Sequence, residues 1–323
     1  MIQPTMRRFL TLLDIGICSY KSPEKLKRAL ETIHANTVQP FRLMVWHNHT
    51  EGDDDVLRVL DSVKCERIVY DNVGYAGAVN GLLARSTAPY FLYCDNDIEV
   101  RTRGWDERMV EVLETNPEVA QVFPGAGHYG FYNGRYHECL WNAGYCWMLR
   151  TDINKALYVS DVSHYRCSVK DTCYLDTSLG HHEEVDFMIR LRLAGFRLAG
   201  CPDVDVFHHE TATQSDDALH KPGGRIHDGV VRWMNKWNRY FCGDALKYSM
   251  TEYDPHALRY TDWPPCALYL ERWTLAQFPL LNTIDRQKIV EAAYGFRVVA
   301  TSAGEMDAIE ILKPKGFYRG RAI

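Results

Sequence analysis

The sequence predicts an α/β fold: a mostly parallel, twisted sheet with helices on both faces. Two observations carry this. Apolar runs of strand length alternate with amphipathic helical stretches over roughly the first 115 residues, the rhythm of βαβ units. The early strands also read as apolar runs, as strands covered on both faces do. In such a sheet ligands bind beyond the carboxyl ends of the strands. Here those ends are the polar segments SYKS, HNHTEGDD, DNVGYAG and CDND.

Taken in order, residues 9–20 (FLTLLDIGICSY) read as a buried first strand. A helix follows in SPEKLKRALETIHAN, with Ser22 as N-cap, Pro23 at the first helical position, and Leu26, Ala29, Leu30 and Ile33 at helical spacing. FRLMVWHN is a second strand, DDDVLRVLDSV a second helix, ERIVYDN a third strand, AGAVNGLLARS a third helix and PYFLYCD a fourth strand. From Trp105 the rhythm changes. The helix WDERMVEVLETN leads to a Gly- and Tyr-rich loop, PGAGHYGFYNGRYHE, and then to LWNAGYCWMLR. After a polar stretch comes LDTSLGHHEEVDFMIRLRLAGFRLAGCPDVDVFHHE. Beyond about residue 211 the chain is rich in Trp and Tyr and less regular. This divides it into 1–210 and a largely helical or irregular extension, 211–323.

The chain has 323 residues, 46% hydrophobic and 24% charged, with a net charge of -5. That composition suits a globular protein and gives no global field for nucleic acid. No apolar run approaches the roughly 20 residues of a membrane span, and the N-terminus reads as a strand rather than a signal peptide. The ten cysteines contain no CxxC pair, so a structural zinc site is not expected and a reducing cytoplasm is the simplest compartment.

Three stretches carry candidate chemistry. Asp95 and Asp97 end an apolar strand, where Asp is disfavoured, so they mark a turn or a site. If the backbone turns between them, Mg2+ or Mn2+ would relieve the repulsion of the two carboxylates while taking substrate phosphates as further ligands. Glu183, Glu184 and Asp186 open the helix of HHEEVDFMIRLRL. Acids in a first turn suit the helix dipole, and Asp186 can pair with Arg190 four residues on. Three acids preceded by two histidines also suit a general base aimed at a bound hydroxyl. Finally, His208 and His209 end DVFHHE, where an imidazole could complete a metal site.

In this order the stretches ICSYKSPEKLKRALETI, NVGYAGAVNGLL, YCDNDIEV, AGYCWMLR, LGHHEEVDFMIRLRLAGFRL and PDVDVFHHE resemble a family 2 glycosyltransferase of the GT-A fold, over roughly residues 10 to 210. The resemblance implies an inverting enzyme that moves a sugar from a nucleotide-diphosphate donor, UDP or dTDP favoured, to an acceptor hydroxyl with Mn2+ or Mg2+. Asp95 and Asp97 match the family's DxD, with Asp97 the first choice of metal ligand and Asp95 nearer the ribose yet within the metal set. His208 matches the histidine that joins the metal, with His209 as the fallback. Glu184 matches the catalytic base of the motif written here Glu183-Glu184, and Asp186 completes the catalytic set. Ser19 and Tyr20 match the loop that meets the nucleobase. Asn72, Gly74, Asn80 and Asn96 join Asp95 as nucleotide-sugar contacts. The chain departs from the family after strand two, where His47 and Asn48 stand in place of the usual base-reading aspartate.

Tyr129, Tyr132, Trp141 and Trp147 could stack on sugars or simply fill the core. Trp233, Trp237 and Phe241 share one helical face. The resemblance implies that residues 1–210 are the catalytic domain. This face of the 211–323 extension is expected either to pack on it or on a second subunit of a homo-oligomer and help form the acceptor side, or simply to fill a core. The acceptor classes left open are a glycan, a lipid-linked sugar, a protein, a small molecule or a modified nucleic-acid base. The alternatives are a nucleotidyltransferase, disfavoured because CSYKSPEKL lacks a glycine, and a non-catalytic nucleotide- or sugar-binding protein.

Overall fold

The computed structural model describes residues 12–126, 131–132, 134–139, 142, 144–156, 174–193 and 196–209. Further on it describes 223–226, 228–229, 232–233, 296–300 and 306–311. The first half runs β1 (Leu13–Ser19), α1 (Pro23–Asn36), β2 (Phe41–His49), α2 (Asp54–Ser62), β3 (Glu66–Asp71), α3 (Gly74–Arg85) and β4 (Tyr90–Asp95), the expected βαβ units. A short β5 (Ile98–Val100), α4 (Trp105–Thr115) and β6 (Val119–Pro124) follow. Then come β7 (Phe131–Tyr132), β8 (His137–Glu138), β9 (Cys146–Arg150), α5 (Thr151–Ala156), α6 (Glu183–Leu193), β10 (Arg197–Cys201) and β11 (Val206–His208).

The main sheet has nine strands in the order β3-β2-β1-β4-β9-β6-β10-β8-β7. Its first four strands are mutually parallel, and β6 pairs parallel with β10. β9 is inserted antiparallel between β4 and β6, which makes the sheet mixed at its middle. A separate antiparallel pair, β11 with β5, lies at the end of β4.

Alternation along the strands divides two cores between the two faces of the sheet. Leu43 and Val45 of β2 and Leu92 and Cys94 of β4 join Leu26, Leu30 and Ile33 of α1 and Trp105, Met109 and Leu113 of α4. Their neighbours Met44, Trp46, Phe91 and Tyr93 join Leu82 and Leu83 of α3 and Phe187 and Leu191 of α6 on the other face. This is the period-two rule for side chains of a strand covered on both sides. Each such buried aliphatic or aromatic side chain contributes about 1.5–3 kcal/mol of transfer free energy. Gly81 permits α3 to lie this close, since a Cβ there would stand 2.2 Å from the Trp46 ring.

Near the amino end of the interior strand β1, Asp14 is fully buried. Arg42 donates to both its oxygens at 2.8 and 2.9 Å, and Ser86 Oγ, Thr87 N and Ala88 N donate to Oδ2 at 2.7–3.0 Å. Burial pushes the Asp14 carboxyl upward, but these donors outweigh it and hold the group below the ordinary carboxylate value.

One local expectation changes. Ser22 stands at the N-cap of α1 but has left-handed backbone (φ 53°) and makes no side-chain cap. Lys21 shares that conformation, so the loop after β1 turns too sharply for the hydroxyl to reach back to the helix.

The chain divides into two compact units, Met1–Ser215 and Asp216–Ile323. In the second, β12 (Phe296–Ala300) and β13 (Met306–Ile311) form an antiparallel hairpin, an element the reading of a helical or irregular extension did not include. Trp233 is buried, whereas Trp237 and Phe241 lie outside the described residues. Among the described residues no helix is long and apolar enough to cross a membrane.

Candidate active site at the carboxyl ends of the strands

β4 ends at Asp95, and the chain turns through Asn96 and Asp97 into β5. That turn lets two aspartates one residue apart serve a single point. β11 returns antiparallel along β5 with His208 opposite Ile98, and His209 N donates to Asp97 O at 2.8 Å. His208 Nε2 consequently stands 3.1 Å from Asp97 Oδ1 and 3.8 Å from Asp95 Oδ2. One ligand atom from each of the three lies within 4.8 Å of the others.

The donor set fits a hard divalent cation. Ligands at about 2.1 Å on neighbouring corners of an octahedron stand about 3.0 Å apart, close to the His208–Asp97 separation. The electrostatics agree. Burial raises Asp95 to about 7, against the Tyr93 hydroxyl that donates to its Oδ1 at 2.5 Å and against His208, while Asp97 and Glu184 add like charge. Such a carboxylate is one a cation would stabilise.

Supporting groups surround the cluster. The Tyr145 ring stacks on His208 at 4.7 Å and 7°, fixing the imidazole plane, and Tyr145 O accepts from Asp95 N at 2.8 Å. Lys25 Nζ of α1 comes to 4.0 Å from Asp97 Oδ2 and donates to His209 O. His209 itself turns away to Glu99, 3.2 Å from Oε2. Of the two adjacent histidines, then, His208 meets the aspartates.

The acids of α6 approach from the other side. Its first turn closes with Asp186 N donating to His182 O at 2.9 Å, and His182 holds a left-handed backbone at φ 63°. Burial depresses His182 to about 4, so its ring is neutral. Asp186 and Glu183 are buried, whereas Glu184 is half-buried. The Glu184 side chain passes directly over Gly144, where an added Cβ would meet its Cγ at 2.6 Å. Tyr75 lies between the two groups of acids. Burial first, then Glu184, Asp95 and Glu183, push its hydroxyl well above the ordinary phenol value, and that hydroxyl donates to Gly144 O at 3.5 Å. The aspartate turn and the start of α6 thus face one space.

The remaining predicted contacts divide. Asn96 Nδ2 donates to Tyr20 O and Lys21 O, tying the first loop to the aspartate turn. Ser19 is buried beside it and Tyr20 half-buried. Asn72 Oδ1 accepts from Gly74 N at 2.9 Å, and Gly74 takes φ 75° where α3 begins. Asn80 serves elsewhere, since its amide exchanges two 2.8 Å bonds with the Leu175 backbone and anchors the segment before α6. Trp147 is 1% exposed and packs in the core with Phe91 and Phe187, while Tyr132 is exposed. Tyr129, Trp141 and the Arg190 side chain lie outside the described residues. Sequence reasoning passed over Tyr75, Tyr93, Tyr145 and Gly144. Only Tyr145 and Gly144 carried a signal, as the small-residue break before β9.

Residues 14–167 match the sequence model described as Glycosyl transferase family 2. These residues are a glycosyltransferase family 2 domain. The succinoglycan biosynthesis protein ExoM of Rhizobium meliloti (strain 1021) is 24% identical over 231 residues, which cover 64% of this chain and 69% of that protein. In three dimensions the chain is similar to the mannosyltransferase PcManGT from Pyrobaculum calidifontis, solved with GDP-Man and Mn2+. The TM-score is 0.55 at 12% identity, covering 87% of this chain and 75% of that one. The likeness shows the GT-A fold, and with the family match the chain is a glycosyltransferase.

Proposed function

We propose that this glycosyltransferase is divalent-metal dependent and inverting, with Asp97, Asp95 and His208 holding Mn2+ or Mg2+ and Glu184 acting as general base. The observation that carries the reading is the convergence of His208 Nε2 on Asp97 Oδ1 at 3.1 Å in a site that Glu184 also enters. A bound ion would supply positive charge against the diphosphate of the donor. Lys25, 4.0 Å from Asp97, adds a second cation on the same side.

Glu184 accepts the proton of the acceptor hydroxyl as that oxygen attacks the anomeric carbon. The C–O bond to the diphosphate breaks, its electron pair leaves with the phosphate, and the configuration inverts. Glu183 and Asp186, buried in the first turn of α6, complete the acidic set beside Glu184. Ser19 and Tyr20 form the base side of the pocket, with Asn72, Gly74 and Asn96 shaping its rim. UDP or dTDP is the favoured nucleotide. GDP, carried by the solved mannosyltransferase, is the competing one.

The division into a catalytic part, 1–210, and an extension, 211–323, is supported by the compact units that part between Ser215 and Asp216. The extension contributes the acceptor side or a contact with a second subunit, and the enzyme works in the reducing cytoplasm. A panel of UDP-, dTDP- and GDP-sugars turned over with Mn2+ tests the reading. Turnover should be abolished by excess EDTA and strongly reduced in Asp97→Asn. Equal turnover in EDTA would refute the metal assignment.

A further inference from the structure

β2 carries His47 and His49 two residues apart, so both imidazoles leave one face of the strand. Their ring centroids are 5.9 Å apart at 68°. The chain then turns through Gly52, whose φ of 88° suits glycine. That turn brings Asp53 back with Oδ2 3.4 Å from His47 Nε2. One ligand atom from each of His47, His49 and Asp53 lies within 4.8 Å of the others.

Two features set this cluster apart from an ordinary His–Asp contact. His47 is 0% exposed and its ring nitrogens reach only loosely to neighbours, the Ser19 backbone and Asp53 Oδ2 at 3.4 Å, while His49 Nδ1 is buried without a hydrogen-bond partner. Burying such a group unpaired costs about 1–3 kcal/mol. The second feature is Asp53 itself. It stands at the N-cap of α2, where aspartate ordinarily accepts from the helix N–H groups, but it makes no side-chain cap. Its Oδ2 instead accepts from Thr50 N at 2.7 Å and Thr50 Oγ1 at 2.8 Å, which aims the carboxylate at His47.

We propose that His47, His49 and Asp53 form a second metal site that takes a transition-metal ion of the zinc class. Two imidazoles and one carboxylate suit Zn2+ better than Mg2+, unlike the oxygen-rich aspartate site. Ligands at about 2.1 Å in a tetrahedron stand about 3.4 Å apart, the separation found between His47 and Asp53. Thr50 is the outer group that orients the carboxylate. A fourth position stays open to water. The ion joins the end of β2 to the start of α2, in register with Ser19 of β1.

The test is zinc binding by the full chain in an Asp97→Asn background, which removes the other site from the count. Asp97→Asn should retain about one equivalent of zinc after dialysis, and Asp97→Asn with His49→Ala should retain none. Adding Thr50→Val to Asp97→Asn should weaken zinc binding about ten- to hundredfold. Because these changes could disturb folding, crystals of the unsubstituted chain soaked in zinc give a second measurement. An anomalous peak about 2.1 Å from the His47 and His49 nitrogens is expected. No peak there, or equal zinc retention with and without His49, overturns the site.

Discussion

Gly144→Ala tests the geometry of the proposed base, Glu184. Gly144 has no left-handed backbone requirement, so alanine fits its main chain. The new Cβ, however, would sit 2.6 Å from Glu184 Cγ, 3.0 Å from its Cβ and 3.2 Å from its Cδ. Ordinary contact begins at 3.4 Å, so the middle of the Glu184 side chain must retreat by about 0.8 Å. The clash falls near the root of the side chain, and rotating the carboxylate alone does not relieve it. A shift of this size in a catalytic group costs about 10²-fold in rate, or about 2.7 kcal/mol of transition-state stabilisation. The assay is kcat for transfer beside donor Kd measured calorimetrically with Mn2+. We expect kcat to fall about a hundredfold while Kd changes less than threefold. In a Glu184→Gln background the same substitution should cost little, since the two act through one group. A kcat within threefold of the parent, or fully additive losses, would refute the reasoning.

Further predictions follow from the same structure. Glu184→Gln should lower kcat by about 10²–10⁴-fold with donor affinity nearly unchanged, and an equal loss of donor affinity in calorimetry would contradict the base assignment. Asp14→Ala should destabilise the fold by about 2–3 kcal/mol in urea melts, the lower end reflecting Arg42, whose side chain is 34% exposed. Asp14 is depressed in the folded state, so its contribution is present above the ordinary value of 3.8. It is lost as pH falls through the lower folded value, and the parent should lose more stability than Asp14→Ala in that acid range. Tyr145→Ala should raise the Mn2+ concentration needed for half-maximal activity by unstacking His208, while tyrosine-to-phenylalanine at that position should not.

The βαβ order, the buried strands and the placing of Asp95 and Asp97 at a strand end were legible because helix and strand periodicities are local. Direction is not local. Cys146–Arg150 reads as an apolar run whether it lies parallel or antiparallel, and only pairing with β4 and β6 makes β9 antiparallel. The choice between His208 and His209 likewise depends on the register of β11 against β5, set more than a hundred residues apart. Ser22 and Pro23 spell a helix start, yet the tight loop after β1 took the backbone out of capping range. Asn80, in a helix rich in small residues, could not be assigned to Leu175 without the fold. The group of His47, His49 and Asp53 was passed over in the sequence, because only the turn at Gly52 brings Asp53 to the two histidines that strand alternation places on one face.

The central claim is that Asp95, Asp97 and His208 hold the ion through which donor diphosphate is bound. Calorimetric titration of the full chain with the nucleoside diphosphate of its donor, with and without Mn2+, tests it most directly. The account predicts binding that requires Mn2+ and is lost from both Asp97→Asn and His208→Ala, each still folded by circular dichroism. Undiminished, Mn2+-dependent binding in Asp97→Asn would contradict it.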